Sequence, residues 1–272
     1  VARRQQGEQQ IVTYAAGPAH DFYIAGSPRF TVTSLTLGET RVNCYAFEER
    51  AEGAELALQT AAAALQSYSA RFGPYPYTEL DVVSTPMQGA TGIEYPGITG
   101  INQDAFDPAN TISGQPAFVI LEATVAHEVG HQWFYNLVGN DQANQPWLDE
   151  ALTQSVTGLY FLDQYGQSGW EGYRATWLSR WQRVDQQEIP IGLPAGDYVG
   201  REYSAIVYGR GPLFIEALAE QMGQETFDAF LRDYSRANAW QIGTAAGFKQ
   251  LAEQHCPCDL TALFNQWVDT KN

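Results

Sequence analysis

Positive charge is what this chain lacks most. Lys and Arg total 15 against 31 Asp and Glu, a formal net charge of −16 at pH 7. Nucleic acid and anionic membrane both call for a basic footprint, so the balance argues against either partner. The acidity reads first as solubility; an acidic rim that attracts cationic peptide ends is the functional alternative. Cysteine is nearly missing too. Cys44, Cys256 and Cys258 are too few for a disulfide framework. His255-Cys256-Pro257-Cys258 would make only a cramped metal cluster without a clear fourth ligand, so thiols or one Cys256–Cys258 bridge are expected instead. No apolar run approaches the roughly 18 residues a membrane span needs, and none is expected within these residues. No repeats, low-complexity tracts or leader pattern stand out, and a chain starting at Val1 leaves the compartment open. What remains is a globular composition, and 272 residues bury one large or two small domains.

One stretch carries chemistry: Ala126-His127-Glu128-Val129-Gly130-His131-Gln132-Trp133-Phe134. Leu121, Val125, Val129, Trp133 and Leu137 mark an apolar stripe at helical spacing, which predicts a helix over about 121–138. Side chains four apart share a helix face, so His127 and His131 can aim two imidazoles at one point. Glu128 lies beside them, placed to take a proton from metal-bound water. HExxH on a helix is a zinc-peptidase pattern, and one Zn2+ per chain is expected. Catalytic zinc usually has three protein ligands. A third His at position 137 fails, because that residue is Leu137. An acid on the following helix remains, and Trp147-Leu148-Asp149-Glu150-Ala151-Leu152 supplies it as Glu150, with Asn144 and Pro146 as start signals.

HEVGHQWF followed by WLDEALT resembles the gluzincin zinc aminopeptidases, whose usual forms are HELxHQWFG and WLNEGFA. The family includes alanyl aminopeptidase and leukotriene-A4 hydrolase. The resemblance implies an α+β fold: a thermolysin-like zinc peptidase catalytic domain, with a small mixed sheet that has an exposed edge strand, plus a helical lobe. It implies His127, His131 and Glu150 as metal ligands and Glu128 as general base. Thr91-Gly92-Ile93-Glu94-Tyr95-Pro96-Gly97 is similar to the family's Gly-Ala-Met-Glu-Asn edge, with Ile93 for Met and Tyr95 for Asn. Gly92, Ile93, Glu94 and Tyr95 then line the substrate, Glu94 holding its free α-amino group; an edge-strand glutamate in water is the plain alternative. Tyr203 to Gly211 resembles the family's Tyr-x-Lys-Gly segment, with Arg210 for Lys. It implies Tyr208 as the donor to the oxyanion, and Tyr203 as a candidate lining residue; for both, a core tyrosine is the alternative.

The rest of the chain supplies the frame. Residues 1–10 read as frayed, with short strands over 11–14 and 22–25 flanking Gly17-Pro18. Gly17-Pro18-Ala19-His20-Asp21-Phe22 is similar to the family's close of an N-terminal β domain, so 1–25 is expected to be its remnant. The catalytic domain then covers 26–272: an α/β lobe over 26–120, the zinc helix over 121–138 and a helical lobe over 139–272. A hairpin over 30–47, a helix over 51–72 and a strand over 80–84 are predicted first. Helices follow over 148–164, 169–184, 212–222, 226–237, 244–255 and 260–268, with a Pro/Gly-rich loop over 189–200. The flanking β domain and a C-terminal helical domain of the family would be missing. The resemblance implies a peptide substrate and zinc-dependent release of N-terminal residues. An endopeptidase on the same site, or a peptide-binding module without catalysis, are the alternatives.

Overall fold

The computed structural model describes residues 2–269; Val1 and residues 270–272, the ends of the expected domain bounds, lie outside them. An exposed hairpin, β1 (Ala2–Gln6) and β2 (Gln9–Thr13), opens the chain. Residues 14–27 then run without helix or strand, so the strand predicted over 22–25 does not form. Phe22 and Ile24 stay 57% and 66% exposed there, and a strand with no sheet neighbour has nothing to pair with.

Alternating residues next build β3 (Phe30–Leu37) and β4 (Thr40–Phe47), a hairpin turned at Gly38. The Ala-rich α1 (Ala51–Phe72) crosses back to β5 (Glu79–Thr85), which lies parallel to β4. β6 (Gly92–Tyr95) and β7 (Ile98–Asn102) complete a mixed five-stranded sheet in the order β3-β4-β5-β7-β6. β6 is thus an edge strand, antiparallel to β7. Two-stranded β8 (Thr111–Ile112) and β9 (Gln115–Pro116) lead into α2 (Ala117–Gly130).

The helix predicted over 121–138 therefore ends at Gly130. Residues 131–137 form turns in which the Asn136 amide donates to the His131 carbonyl and Tyr135 takes a φ of 144°. The apolar stripe misled because Trp133 remains wholly buried in this turn, its indole N–H donating to the Gly73 carbonyl at 3.0 Å. β10 (Val138–Gly139) follows, paired with β11 (Gln241–Ile242). α3 (Trp147–Gln182) merges the two helices predicted over 148–164 and 169–184. Gly166, at φ 67° and ψ −158°, breaks it, and the second half turns back on the first, bringing Tyr173 and Arg180 to Gln154. A side chain at that φ would be strained, which suits glycine.

α4 (Glu202–Ala205) passes through a π-helical turn, Ile206–Arg210, into α5 (Gly211–Met222). α6 (Gln224–Ala237), α7 (Ala245–His255) and α8 (Thr261–Trp267) close the chain near their predicted bounds. Cys256 and Cys258 form a disulfide after α7, and Cys44 is a buried free thiol. The architecture is mixed α+β, a small sheet beside a helical lobe. One buried cluster joins them, from Val42 and Val82 through Tyr68 of α1 and Val125 of α2 to Leu152, Phe214 and Phe248.

Close crossing of α2 and α3 sets up the site. A Cβ on Gly130 would lie 2.9 Å from Thr153 Cγ2 and 3.2 Å from Val156 Cγ2. Glycine there lets the two backbones approach. We expect Gly130→Val to destabilise the protein by about 1–3 kcal/mol through overpacking. Urea unfolding measures this, and an unchanged midpoint would refute the packing argument.

Candidate active site

α2 delivers His127, Glu128 and His131 in its last turn and cap; the first turn of α3 delivers Glu150. His127 Nε2 lies 3.1 Å from Glu150 Oε2 and 3.1 Å from His131 Nε2, and His131 Nε2 lies 3.4 Å from Glu150 Oε2. A tetrahedral ion bound at about 2.0–2.1 Å keeps its ligand atoms roughly 3.3 Å apart, so this near-equilateral triangle fits zinc. Two nitrogens and a carboxylate oxygen are also the donors zinc takes. A second cluster, Glu94, Glu128 and His131, shares His131 with the first, so the two are not independent sites.

The electrostatics follow from burial. His127 is 8% exposed and His131 1%, and the Glu150 side chain 12%. Desolvation lowers the His127 pKa to about 4, keeping it neutral. Burial works against the Glu150 carboxylate, yet hydrogen bonds with His127 and His131 outweigh it and hold its pKa below the ordinary range. Desolvation pushes Glu128 well up, and its Oε2 has no hydrogen-bond partner among the described residues. A buried carboxyl with a free oxygen and a raised pKa is suited to taking a proton.

Supports surround the imidazoles. His131 Nδ1 donates to the Phe134 carbonyl at 3.0 Å, which turns Nε2 toward His127 and Glu150. Thr153 Oγ1 lies 3.2 Å from the same nitrogen. Gln154 Nε2 lies 3.3 Å from His127 Nδ1, while Gln154 Oε1 accepts from the Tyr173 hydroxyl at 2.9 Å and from Arg180 Nη1 at 3.1 Å. With its Oε1 held by these two donors, Gln154 keeps its Nε2 against His127 Nδ1 and fixes the plane of that ring. Tyr173 and Arg180 reach Gln154 only because α3 reverses at Gly166.

β6 forms the opposite wall. A Cβ on Gly92 would lie 2.6 Å from Glu128 Cδ, so glycine makes room for that carboxylate. Glu94 accepts from Gln142 Nε2 at 2.7 Å. Ile93 pairs across to Gly100 on β7, and the Tyr95 ring stacks on Tyr23 at 4.5 Å. The edge is partly occupied: Gln132 Nε2 donates to the Tyr95 carbonyl, and the Gly97 amide donates to Gln132 Oε1. Tyr208 comes from the π-helical turn, its ring 6.2 Å from that of His127. Burial, then the Glu150 charge, raise its pKa well above the ordinary phenol, so it stays a donor. Tyr203 packs edge-on against Tyr208 at 5.8 Å, and Tyr198 of the 189–200 loop packs on Tyr203. Arg210 points elsewhere. It is 1% exposed and donates to the carbonyls of Ile189, Gln266 and Trp267, pinning α8 and the loop.

The structure thus gathers His127, Glu128, His131, Glu150, Glu94, Gly92 and Tyr208, with Tyr203 behind Tyr208; Ile93 and Tyr95 face their own neighbours. Thr153, Gln154, Asp149 and Gln142 were not predicted. Helical spacing pointed to two of them, since Thr153 and Gln154 lie three and four residues beyond Glu150, on its face.

The model of the Peptidase family M1 domain matches residues 56–267. Aminopeptidase M1-B of Oryza sativa subsp. japonica is 24% identical over 251 residues, covering 90% of this chain and 28% of the relative. Aminopeptidase M1 of Arabidopsis thaliana is 24% identical over 285 residues, covering 97% and 31%. Endoplasmic reticulum aminopeptidase 1 of Homo sapiens is 24% identical over 245 residues, covering 84% and 25%. The chain therefore spans between a quarter and a third of the length of these relatives.

If Gln154 orients His127, Gln154→Leu should weaken zinc binding by about 10–100-fold. Titration against a fluorescent chelator reads this, and wild-type affinity would remove Gln154 from the support.

Proposed function

The chain belongs to peptidase family M1, and on that footing we propose that it hydrolyses peptide bonds at a zinc site made by His127, His131 and Glu150, releasing residues from a free N-terminus. The single observation that carries the proposal is the triangle of Nε2, Nε2 and Oε2 atoms with edges of 3.1, 3.1 and 3.4 Å. The fold reading that goes with it is a thermolysin-like catalytic domain, with the site between the sheet edge and the helical lobe. Zinc bound there supplies Lewis acidity, which lowers the pKa of a water toward about 7 and polarises a carbonyl.

The chain's own residues do the rest. Glu128 Oε2 takes the proton from the attacking water as the tetrahedral species forms, then passes it to the departing amine nitrogen. Gly92 keeps that carboxylate close against the edge strand. The Tyr208 hydroxyl, neutral at pH 7, donates to the developing oxyanion. Free backbone groups on β6 pair with an extended peptide, although Gln132 already takes the Tyr95 carbonyl and the Gly97 amide. Glu94 faces the substrate's α-ammonium. Relatives named aminopeptidases support removal of N-terminal residues over internal cleavage. The partner is then a peptide. No described helix is long and apolar enough to cross a membrane.

Glu128→Gln should keep zinc and lower kcat by about 100-fold or more, the range of acid–base catalysis; near-normal turnover with zinc quantified would remove the base. Tyr208→Phe should cost roughly 100-fold in kcat at unchanged zinc content. Gly92→Ala should displace the Glu128 carboxylate and lower kcat likewise. A panel of aminoacyl-coumarins, with and without chelator, tests the activity itself. A free and an N-acetylated peptide then separate the modes: equal cleavage of both would make the protein an endopeptidase, and no cleavage of either would leave a binding module.

A further inference from the structure

The turn after α2 carries a conformation that its residue does not favour. Tyr135 takes a φ of 144°, in the region glycine adopts freely and a bulky side chain rarely enters. The usual family form HELxHQWFG has glycine at this place, and this chain has tyrosine. Strain of this kind persists only where neighbouring contacts over-determine it, and it gathers at working sites. Here those neighbours come from the irregular segment 14–27. The Tyr135 hydroxyl donates to Asp21 Oδ2 at 3.0 Å, and the His20 ring stands edge-on to the Tyr135 ring at 4.7 Å. The Tyr135 phenol is pushed above its ordinary range by burial first and then by the Asp21 bond; the charges of Glu94 and Asp149 also act on it.

Two more tyrosines hold the segment against the sheet. Tyr77 donates to the Pro18 carbonyl at 3.0 Å, and the Tyr95 ring stacks on Tyr23 with the two planes 2° apart. Tyr95 is the last residue of β6, and its carbonyl already accepts from Gln132. Gly92, at the other end of the strand, is level with the Glu128 carboxylate, since a Cβ there would lie 2.6 Å from Glu128 Cδ. At the usual strand rise, Gly92 and Tyr95 are about 10 Å apart. An extended peptide paired with β6, its reacting carbonyl level with the base, therefore has room for about three residues at most on that side. Any further residue meets the Tyr23–Tyr95 stack and finds the Tyr95 carbonyl occupied.

We propose that Asp21, Tyr23 and Tyr135 form the end wall of the cleft and confine the protein to chain ends by excluding any peptide that continues past Tyr95. This rests on the peptidase reading above and deepens it, because shape then sets the mode of cleavage independently of the charge on the substrate's terminus. Tyr135 is the keystone: its bond to Asp21 ties the turn that follows the two imidazoles to the segment that carries Tyr23. Specificity by obstruction is a repulsive device, and removing the obstruction should widen the range of substrates.

The test compares Tyr23→Ala, Tyr135→Gly and the double variant with wild type, each loaded with zinc. Substrates are the best aminoacyl-coumarin and an N-acetylated, internally quenched octapeptide, with fragments identified by mass spectrometry. Glycine suits the backbone at 135 and removes the ring. Tyr23 lies on a segment without helix or strand, so Tyr23→Ala decides the matter if the Tyr135 change unfolds the protein. Phe22→Ala, on the same segment but 57% exposed, is the control and should match wild type. Octapeptide cleavage relative to coumarin hydrolysis should rise by about tenfold or more in the double variant and about threefold in each single one, with internal cuts beyond the third residue. A ratio equal to wild type in the folded double variant, or in Tyr23→Ala, would overturn the wall. So would a wild type that cuts the octapeptide internally as readily as the coumarin, or one that releases short C-terminal pieces from it. A wild type inert toward both substrates would refute the peptidase reading instead. Calorimetry of the octapeptide then decides the wall: affinity raised about tenfold in the variants supports it, and equal affinity sinks it.

Discussion

Three atoms from two helices meet within little more than 3 Å of one another: two imidazole nitrogens and a carboxylate oxygen. Much of the surrounding structure bears on that meeting. His127 and His131 share a face through helical geometry alone, but Glu150 reaches them only if α2 and α3 cross at glycine distance. Gly130 allows the crossing, and the turn over 131–137 brings the chain round to deliver α3 from the correct side. Buried donors and acceptors then fix the ring orientations. Packing the same three groups into an apolar interior without partners would leave charge that burial strongly penalises.

The sheet and the helical lobe divide the work. The sheet contributes position: β6 offers its edge, and its glycine lets the Glu128 carboxylate lie against it. The lobe contributes polarity and support, with Tyr208 on a π-helical turn and Gln154, Tyr173 and Arg180 behind His127. π-Helical turns are often found at functional sites because the widened turn re-aims a side chain. Arg210, next along that turn, is spent on three backbone carbonyls, which anchors the turn to α8. The acidic residues are therefore not a diffuse property of the surface alone; several are concentrated at the cleft.

Local patterns were legible in the sequence, and long-range reversals were not. HExxH, Glu150 and the helices of the lobe follow from spacing, caps and breakers within a few residues of each other. The α2 terminus was misread because Trp133 and Leu137 continue the apolar period while the backbone has already left the helix; burial in a turn looks the same as burial on a helix face. The strand over 22–25 had the composition but no neighbour to pair with. The link of Gln154 to Tyr173 and Arg180 depends on the reversal at Gly166, and composition does not announce which way a broken helix turns. Asp149 was hidden beside Glu150, since its partner Gln142 also binds Glu94, on a strand far away in sequence.

The break at Gly166 has a further consequence, for assembly. Because α3 doubles back, the imidazoles, Glu150 and the groups that brace them all fall between His127 and Arg180 in the chain. Loop-closure entropy grows slowly with length, about 0.6 kcal/mol for each doubling, and contacts of short sequence separation form fastest. The centre is thus a nearly local folding unit of three helical segments. The parallel pairing of β4 with β5, by contrast, must wait for α1 to close a crossover. The triangle of His127, His131 and Glu150 with its braces can order itself on one stretch of chain, and Tyr208 and the sheet edge join it as the remaining walls.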